Sequence, residues 1–408
     1  MREAGRAKRA ARAGSAGRAG SARAGADGRR GRARWLCGAL AAVLACGLGA
    51  GPGRAEVELP VPPGVLPPEV PEDNPLSAAK VALGQKLYFD TRLSTDGTVG
   101  CATCHNPRTG FADARGRTSA GVGGALGPRN SPTVLNAAFL LEQFWDGRAE
   151  GLEAQALQPL VNAIEHGFAD HNAFVAKLRG LPEYRPLFRE AFGKGAITAE
   201  RAAQAIASFE RTLISLSAPI DRFLAGDASA LSAAARRGWT LFNGKARCNN
   251  CHGHVESLPT FSNEDYHNLG VGIDKLDLAK IERQAQAALA RGESPEQVVA
   301  GLGLSDAEAS ELGRFAVTGE LQHLGAFRTP PLRNIALTAP YMHDGSEATL
   351  AGVMELYDRG GNANPRLDGG ILVLELTARE KADLVALMRA FTSDDLQRFD
   401  HLKKLVAD

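Results

Sequence analysis

The sequence is poor in the features that build β-sheets and in those that cross membranes. Stretches of alternating apolar and polar residues are few, whereas helical spacing of apolar residues recurs, so we predict a mostly α-helical fold. The most apolar stretch, Trp35–Leu48, has 14 residues and is too short to span a bilayer comfortably. Hydrophobic residues make up 44% of the chain, which is typical of a globular protein.

The apolar stretch follows an arginine-rich segment, and this order is typical of a bacterial export signal. We therefore predict that residues 1–55 direct the chain to the periplasm, with cleavage near Ala50 or Ala55. The segment VLAC, which ends at Cys46, offers an alternative, because a lipid attached to Cys46 would anchor the protein to a membrane.

The chain also has little net charge, but its charges are unevenly distributed. The formal charge is +1 for all 408 residues. Residues 1–34 contain eleven Arg or Lys and two Asp or Glu, a net +9, which leaves −8 for the remainder. The folded part is therefore acidic, which argues against nucleic-acid binding and favours a basic protein partner.

Six cysteines are too few for a disulfide-rich scaffold. Cys37 and Cys46 lie inside the predicted export segment. The other four form two C-x-x-C-H motifs, Cys101–His105 and Cys248–His252, whose first residues are 147 positions apart. In this motif two thiols attach to the vinyl groups of a c-type haem and the histidine binds its iron. We therefore predict two covalent haem c groups and no disulfide.

Two other interpretations of these motifs remain open on sequence grounds. Four cysteines and two histidines could bind zinc, although structural zinc pairs usually lie closer together. A C-x-x-C segment could also be a redox dithiol, although no strand pattern precedes either motif. The residues at issue are Cys101, Cys104, His105, Cys248, Cys251 and His252.

The chain divides into a short lead-in and two parts that repeat the order helix then C-x-x-C-H. Residues 56–75 are rich in proline and predict an extended lead-in without its own core. We predict a first haem domain at 76–227 and a second at 228–408, with a helical insertion at 275–313 that we interpret as a solvated hairpin without a catalytic part. Helical patterns occur at 76–90, 133–141, 173–178, 198–224, 232–242 and 377–392.

Seven segments in order resemble the bacterial di-haem cytochrome c peroxidases and the related MauG-type enzymes, which oxidise tryptophan in a partner protein. The resemblance covers roughly residues 76–395. The segments are LGQKLYFDTRLS, CATCHNPRTGF, GPRNSPTVLN, FWDGRAEGLEAQA, RCNNCH, FRTPPLRNIALTAPYMHDGS and ELYDRGG.

The resemblance implies two α-helical cytochrome c domains whose haems face a shared interface. It implies that the first haem meets hydrogen peroxide and that the second takes in electrons. Trp145 matches a tryptophan placed between the haems, and Gln155 and Glu165 match residues of the peroxide pocket. Asn130, with the carbonyl groups of Thr338 and Pro340, matches a calcium site between the domains.

Two positions depart from the long-studied peroxidases. Those enzymes carry a histidine that caps the resting first iron, and the corresponding residue here is Val122. We therefore expect an uncapped first haem that needs no reductive activation. Many relatives bind the second iron with a methionine, but this position is Tyr357, as in MauG-type enzymes. Met354 and Met342 are alternative ligands.

The remaining histidines carry weaker signals. His343 lies in the segment PYMHDGS, and we interpret it as a residue of the second haem pocket rather than an iron ligand. The others are expected to be surface or hydrogen-bonded groups. They are His166, His171, His254, His267, His323 and His401.

Three functions follow, of which the first is favoured. The leading hypothesis is an exported peroxidase that reduces hydrogen peroxide with electrons from a small c-type cytochrome or a cupredoxin-like protein. The second is a MauG-type oxidase that modifies tryptophan side chains of a partner, which Val122 and Tyr357 favour. The third is a non-catalytic electron carrier, against which Glu165, Gln155 and the uncapped first haem argue, because simple carriers cap both irons.

Overall fold

Helices dominate the fold, as the sequence predicts. The computed structural model describes residues 57–254 and 259–406, so the predicted export segment lies outside them. Within these ranges the α-helices are α1 Ala78–Phe89, α2 Cys101–Cys104, α3 Gly151–Val161, α4 His171–Arg179, α5 Tyr184–Phe192, α6 Ala199–Glu210, α7 Pro219–Leu224, α8 Ala233–Asn243, α9 Leu278–Ala290, α10 Pro295–Gly301, α11 Asp306–Ser310, α12 Phe315–Thr318, α13 Leu350–Asp358, α14 Ala378–Arg389 and α15 Asp400–Lys403.

The β-structure in the described ranges consists of two short antiparallel pairs. Strand β1 (Glu142–Gln143) pairs with β2 (Ala149–Glu150), and β3 (Tyr266–His267) pairs with β4 (Phe327–Arg328). Short 3-10 turns fill many connections, and one of them, Cys248–Asn250, carries part of the second haem motif.

Side-chain caps set the starts of the long helices. The hydroxyl of Ser77 accepts a hydrogen bond from the backbone of Lys80 at the start of α1. Thr198 and Ser232 cap α6 and α8 in the same way. Thr377 and Glu380 form a reciprocal capping box on α14. Such caps satisfy backbone N–H groups that have no partner inside the helix.

Two helix pairs form the frames of the two haem regions. Helix α1 packs on α6, and α8 packs on α14. A glycine lies at each crossing: a Cβ added at Gly84 would lie 1.8 Å from the carbonyl oxygen of Ala205, and one at Gly238 would lie 2.2 Å from that of Asp383. Because only glycine leaves room for such a contact, the two helices of each pair approach each other closely.

The three largest apolar cores of the described residues are formed by successive parts of the chain. The largest runs from Leu83 to Leu213, and Phe399 and Leu402 near the C-terminus also pack into it. The second runs from Ala218 to Phe391. A third, between Ile273 and Leu324, belongs to the helical insertion. The domain boundary at 227/228 stays a prediction, since these cores share one compact unit.

The predicted lead-in has no helix or strand over its described part, 57–75. Its side chains Leu59, Val61 and Val65 pack on a small cluster of Phe139, Ile214 and Leu216. The lead-in is thus attached to the first half of the fold.

Two predicted helices differ from the structure. The segment 133–141 contains only the 3-10 turn Ala137–Phe139, because Asn136 adopts a left-handed conformation with φ of 63°. The predicted helix 198–224 is broken into α6 and α7. Both differences have one cause: the amide of Asn136 pairs with the backbone N–H and carbonyl of Ser215, at 2.7 and 2.9 Å, and holds both segments out of helical geometry.

Among the described residues no helix is both long and apolar enough to cross a membrane.

Candidate active site

A cavity of about 590 Å³ brings the predicted site residues together. Both C-x-x-C-H motifs line it, as do the predicted peroxide-pocket, inter-haem and iron-ligand residues. The predicted residues on its wall are Cys101, Cys104, His105, Asn130, Trp145, Gln155, Glu165, Cys248, Cys251, His252, Thr338, Pro340, Met342, His343, Met354 and Tyr357. Residues far apart in sequence therefore share one space large enough for cofactors.

Three of the four thiols of the cavity are not activated nucleophiles. Burial raises the pKa of Cys104 to about 11 and that of Cys248 to about 12, and it raises the pKa of Cys101 further. A redox dithiol or a zinc-binding pair requires a lowered pKa. In the described ranges no three His, Cys, Asp or Glu side chains are grouped to hold a metal ion. The geometry therefore supports neither the dithiol nor the zinc interpretation.

The two motif histidines are held in the tautomer that iron ligation needs. Nδ1 of His105 lies 2.8 Å from the carbonyl oxygen of Pro132, and Nδ1 of His252 lies 2.9 Å from that of Phe261. A carbonyl only accepts, so Nδ1 donates and Nε2 keeps its lone pair. Burial lowers the pKa of His105, and it lowers that of His252 to about 4. Both imidazoles are neutral and fit a haem iron.

Glu165 and Gln155 present uncommitted polar groups to the cavity. Gln155 lies on α3, one turn before Pro159. After the end of α3, the amide oxygen of Asn162 accepts hydrogen bonds from the backbone of Ile164 and Glu165, at 2.9 and 3.3 Å. This turn aims Glu165, whose carboxyl group has no hydrogen-bond partner among residues 57–254 and 259–406. Burial raises its pKa, with Arg148 opposing the shift.

Trp145 is held by backbone contacts from several segments. Its indole Nε1 donates to the carbonyl oxygen of Asn130 at 2.9 Å, and its own carbonyl accepts from the backbone N–H of Arg328 at 2.8 Å. The next residue, Asp146, is paired with Arg129 and Arg148 at 2.5 and 3.0 Å. These two cations lower the pKa of Asp146 against the effect of burial. The indole is therefore fixed on the cavity wall.

Val122 does not line the cavity, but its loop is tied closely to the peroxide-pocket segment. The backbone N–H of Val122 donates to Ile164 at 2.8 Å. The neighbouring Gly121 lies so close that a Cβ there would be 1.8 Å from the same carbonyl oxygen. On the other side, Asp96 accepts from the backbone of Gly123 at 2.9 Å. A loop bonded on both sides is poorly suited to large movements.

The part of the cavity beside the second C-x-x-C-H motif is lined mainly by apolar side chains and contains three candidate iron ligands. Tyr357 and Met354 lie on α13, one turn apart, and Met342 lies in the segment before that helix. Burial raises the pKa of Tyr357 above its usual range, and the nearby thiols of Cys248 and Cys251 add to the shift. The tyrosine is therefore beside the second motif, and its ionised form would need a cation as partner.

Each of the three predicted calcium ligands has an oxygen atom that accepts no hydrogen bond in the described parts of the chain. Asn130 donates through its amide nitrogen to the carbonyl of Arg117 at 3.2 Å, which leaves its amide oxygen available. In the described parts of the chain, no hydrogen bond reaches that oxygen or the carbonyl oxygens of Thr338 and Pro340. Neutral oxygens of this kind suit calcium, so the residues fit the predicted ion.

Two charged groups of the cavity are absent from the site residues that the sequence predicts. Glu210, on α6, is only 5% exposed and lines the cavity. Its position four residues after the buried Ile206 is the signal that could have revealed it. Arg328 is also 5% exposed, and its Nη1 has no hydrogen-bond partner in the described ranges. Such a buried cation could pair with a haem carboxylate.

The six weaker histidines all make hydrogen bonds or ring contacts, as expected. Two of them also line the cavity. His166 is buried, with Nδ1 at 2.6 Å from the carbonyl oxygen of Leu93. Hydrogen bonds to Cys251 and Asp368 raise the pKa of His267 to about 9. The full set is His166, His171, His254, His267, His323 and His401.

The chain is similar to known proteins over most of its length. A family model described as di-haem cytochrome c peroxidase matches residues 78–229. Methylamine utilization protein MauG of Methylorubrum extorquens is 38% identical over 79% of this chain and 81% of its own. Cytochrome-c peroxidase IdrP1 of a Pseudomonas species is 36% identical over 87% and 92%.

A solved structure supports the same relationship. A MauG-like protein associated with microbial copper homeostasis aligns with a TM-score of 0.69 and 33% identity, over 83% of this chain and 97% of its own. The predicted family and the mostly α-helical fold with two c-type haem domains are thereby confirmed. The chain belongs to the family of di-haem cytochrome c peroxidases and MauG proteins, and it is an oxidoreductase of the di-haem peroxidase type with two haem c groups.

Proposed function

We propose that the protein is an exported peroxidase that reduces hydrogen peroxide to water with electrons from a small c-type cytochrome or a cupredoxin-like protein. The observation that carries the proposal is that Glu165 and Gln155 both present polar groups to the cavity. Neither side chain has a hydrogen-bond partner in the described parts of the chain. An electron carrier would have no use for an unpartnered carboxyl group there, because leaving it buried costs free energy.

The cofactor residues have distinct tasks. Cys101, Cys104 and His105 would hold the first haem, and Cys248, Cys251 and His252 the second. Bound haem supplies a redox-active iron and, where one face is free, a place for the oxidant. Arg328, whose Nη1 has no hydrogen bond in the described ranges and lies 3.6 Å from Glu264, would hold a haem carboxylate.

Reduction of one peroxide to two waters consumes two electrons and two protons. Glu165 can accept the peroxide's own proton from one oxygen and return it to the other, which then leaves as water, and its raised pKa favours acceptance of that proton. The two consumed protons come from the solvent. The amide of Gln155 can orient the peroxide by hydrogen bonding. Trp145, fixed by Asn130 and Asp146, would be the electron relay between the two haems.

Export agrees with this assignment because c-type haem is attached outside the bacterial cytoplasm. The predicted signal at Trp35–Leu48 and the alternative lipid anchor at Cys46 lie outside the described residues. Calcium at Asn130, Thr338 and Pro340 would connect the segments on both sides of the cavity and keep the haems in register.

A second candidate is a MauG-type oxidase that modifies tryptophan in a partner protein. Tyr357 favours it, because this residue lies beside the second motif where a tyrosine ligand would stabilise oxidised iron. Val122 favours it too, since the first iron then lacks the histidine cap of the long-studied peroxidases.

One experiment separates the candidates. The purified protein is mixed with hydrogen peroxide and a reduced small c-type cytochrome, and oxidation of that cytochrome is followed by absorbance. Rapid, peroxide-dependent oxidation is expected. Slow oxidation with a long-lived spectral change of the protein itself would favour the MauG-type enzyme. Absence of any spectral response to peroxide would refute both and leave an electron carrier.

A further inference from the structure

The helical insertion is firmly attached to the rest of the fold. Helices α9 to α11 enclose their own apolar core, but the insertion also forms ion pairs with the body. Glu282 pairs with Arg366 at 2.7 Å, and neither residue lines the cavity. Ser310, at the end of α11, does line the cavity. The interpretation of the insertion as a solvated hairpin therefore describes only its outer surface.

The end of α11 holds the segment that carries the inter-haem tryptophan. Arg129 donates from Nε to the hydroxyl of Ser310 at 2.9 Å and from Nη2 to its carbonyl at 2.8 Å. The same guanidinium donates from Nη1 to Asp146, the neighbour of Trp145, at 2.5 Å. Arg314 donates to the carbonyl groups of Asp146 and Gly147 at 3.0 and 2.8 Å.

Glu311, the residue after α11, contacts a histidine of the cavity. Its Oε2 lies 2.6 Å from Nε2 of His343, and the ring of His343 is stacked on Phe327 with centroids 3.6 Å apart. An ionised carboxylate only accepts, so Nε2 donates the proton. The stacking and the hydrogen bond together leave the imidazole one orientation.

This histidine is adjacent to Trp145 in space and connected to it through the backbone. The two rings meet edge to face with centroids 6.5 Å apart. The carbonyl oxygen of His343 accepts from the backbone N–H of Asn130 at 2.7 Å, and the carbonyl oxygen of Asn130 accepts from the indole of Trp145 at 2.9 Å. A shift of His343 would therefore move both sides of the indole.

The fold leaves room for Glu311. A Cβ added at Gly272 would lie 1.8 Å from Oε2 of Glu311. Gly272 also has φ of +74°, a conformation that other residues rarely adopt. The carboxylate thus occupies a space that exists only because residue 272 has no side chain.

We propose that Glu311 is a positioning residue: it fixes His343 and, through His343 and Asn130, sets the position of Trp145 between the two haem motifs. The helical insertion then has a role in the reaction, because it delivers this carboxylate to the cavity. The inference rests on the proposed relay function of Trp145.

The test compares Glu311→Ala with Glu311→Gln in the full-length, haem-loaded protein. Alanine removes the acceptor, whereas glutamine keeps an oxygen that can accept from His343. Glu282→Ala is the control. It removes a carboxylate that attaches the same insertion to the body through Arg366, and neither residue lines the cavity. Trp145→Phe is measured in parallel. The readouts are kcat and KM for peroxide with reduced cytochrome c, and the ultraviolet resonance Raman bands of Trp145, obtained as the difference from Trp145→Phe.

We expect Glu311→Ala to lower kcat by about 10- to 100-fold, the usual effect of losing such a supporting group. KM for peroxide should stay unchanged, and the indole hydrogen-bond band should shift. Glu311→Gln should retain most of kcat, and Glu282→Ala all of it. Unchanged kcat and an unshifted band in Glu311→Ala would overturn the proposal. If Trp145→Phe itself has wild-type kcat, the relay function fails instead. Equal losses in Glu311→Ala and Glu282→Ala would show a merely structural role.

Discussion

The two haem regions share one frame but differ in what faces the motif histidine. Each frame has a helix pair that crosses at a glycine, Gly84 or Gly238, followed by a C-x-x-C-H motif. In each, Nδ1 of the motif histidine lies 2.8 or 2.9 Å from a backbone carbonyl oxygen. The frame thus orients the motif histidine in the same way in both halves. Any difference in reactivity between the halves must come from other residues.

The residues across the cavity make the two halves unequal. The first half brings Glu165 and Gln155, whose side chains have no partner in the described parts of the chain, and the buried Glu210. The second brings Tyr357 and methionines from apolar surroundings. Proton-handling groups on one side and potential iron ligands on the other are what a division between a reactive haem and an electron-transfer haem requires. A duplicated fold can therefore carry two functions without a change of backbone frame.

Removing the proton carrier of the first half should have the largest effect. Glu165→Gln keeps the shape of the side chain but cannot exchange a proton, so kcat/KM for peroxide should fall by about 10²- to 10⁴-fold. Haem content should stay at two per chain. Steady-state peroxide turnover checks this, with Glu150→Gln, an exposed carboxylate beside α3, as the control. Turnover at the wild-type rate would remove Glu165 from the mechanism.

The second half is tested at its predicted iron ligand. Tyr357→Phe should raise the reduction potential of one haem by on the order of 100 mV, because an electron-donating ligand is lost. The potential of the other haem should stay the same. Spectroelectrochemical titration of both haems measures the two values. If Met354→Leu produces the shift and Tyr357→Phe does not, methionine is the ligand.

The shared frame is tested at its two glycines. Gly84→Ala and Gly238→Ala should each lower the free energy of unfolding by about 1–3 kcal/mol, since the added methyl group overlaps a backbone carbonyl. The effect should be larger at Gly84, where the overlap is closer. Urea denaturation followed by circular dichroism measures it. Gly301→Ala, where nothing lies within 4 Å of the added group, is the control and should not destabilise the fold.

Much of this arrangement could be predicted from the sequence. The helical spacing of apolar residues placed α1, α4, α8 and α14 within a few residues, and the two motifs supplied the predicted haem-attachment residues. The failures occurred where a distant contact decides local structure. Asn136 breaks two predicted helices through its bonds to Ser215, which is 79 residues away. No local pattern contains that pairing.

The same reason explains the site residues that the sequence did not reveal. Glu311 lies in a stretch whose composition is typical of a solvated helix, and only the folded chain brings it to His343. Its role depends on Gly272 and Phe327, which are distant in sequence as well. Motifs record the residues that touch a cofactor, whereas supporting residues are defined by packing.

Glu210 provides the finest distinction between the two halves. Burial raises its pKa from 4.5 to about 8, although the charge of Arg211 opposes the shift; among the described residues Arg211 makes its ion pair with Glu153 and not with Glu210. In the second half the buried Glu264 also has a raised pKa, but Arg328 lies 3.6 Å away and opposes the shift. Between pH 4.5 and about 8 the folded protein keeps a proton on Glu210 that the unfolded chain has lost. This contribution to stability therefore decreases as the pH rises through that window.

Glu210→Gln should remove this pH dependence, because an amide does not titrate. The urea midpoint of the wild type should fall relative to that of the variant between pH 5 and pH 8, and the difference should be largest at the alkaline end. Glu264→Gln should alter the profile less, because the variant also leaves Arg328 without its carboxylate partner at every pH. Parallel profiles for the wild type and Glu210→Gln would mean that this carboxyl group is compensated in the haem-loaded protein, and that the two halves are electrostatically more alike than their side chains indicate.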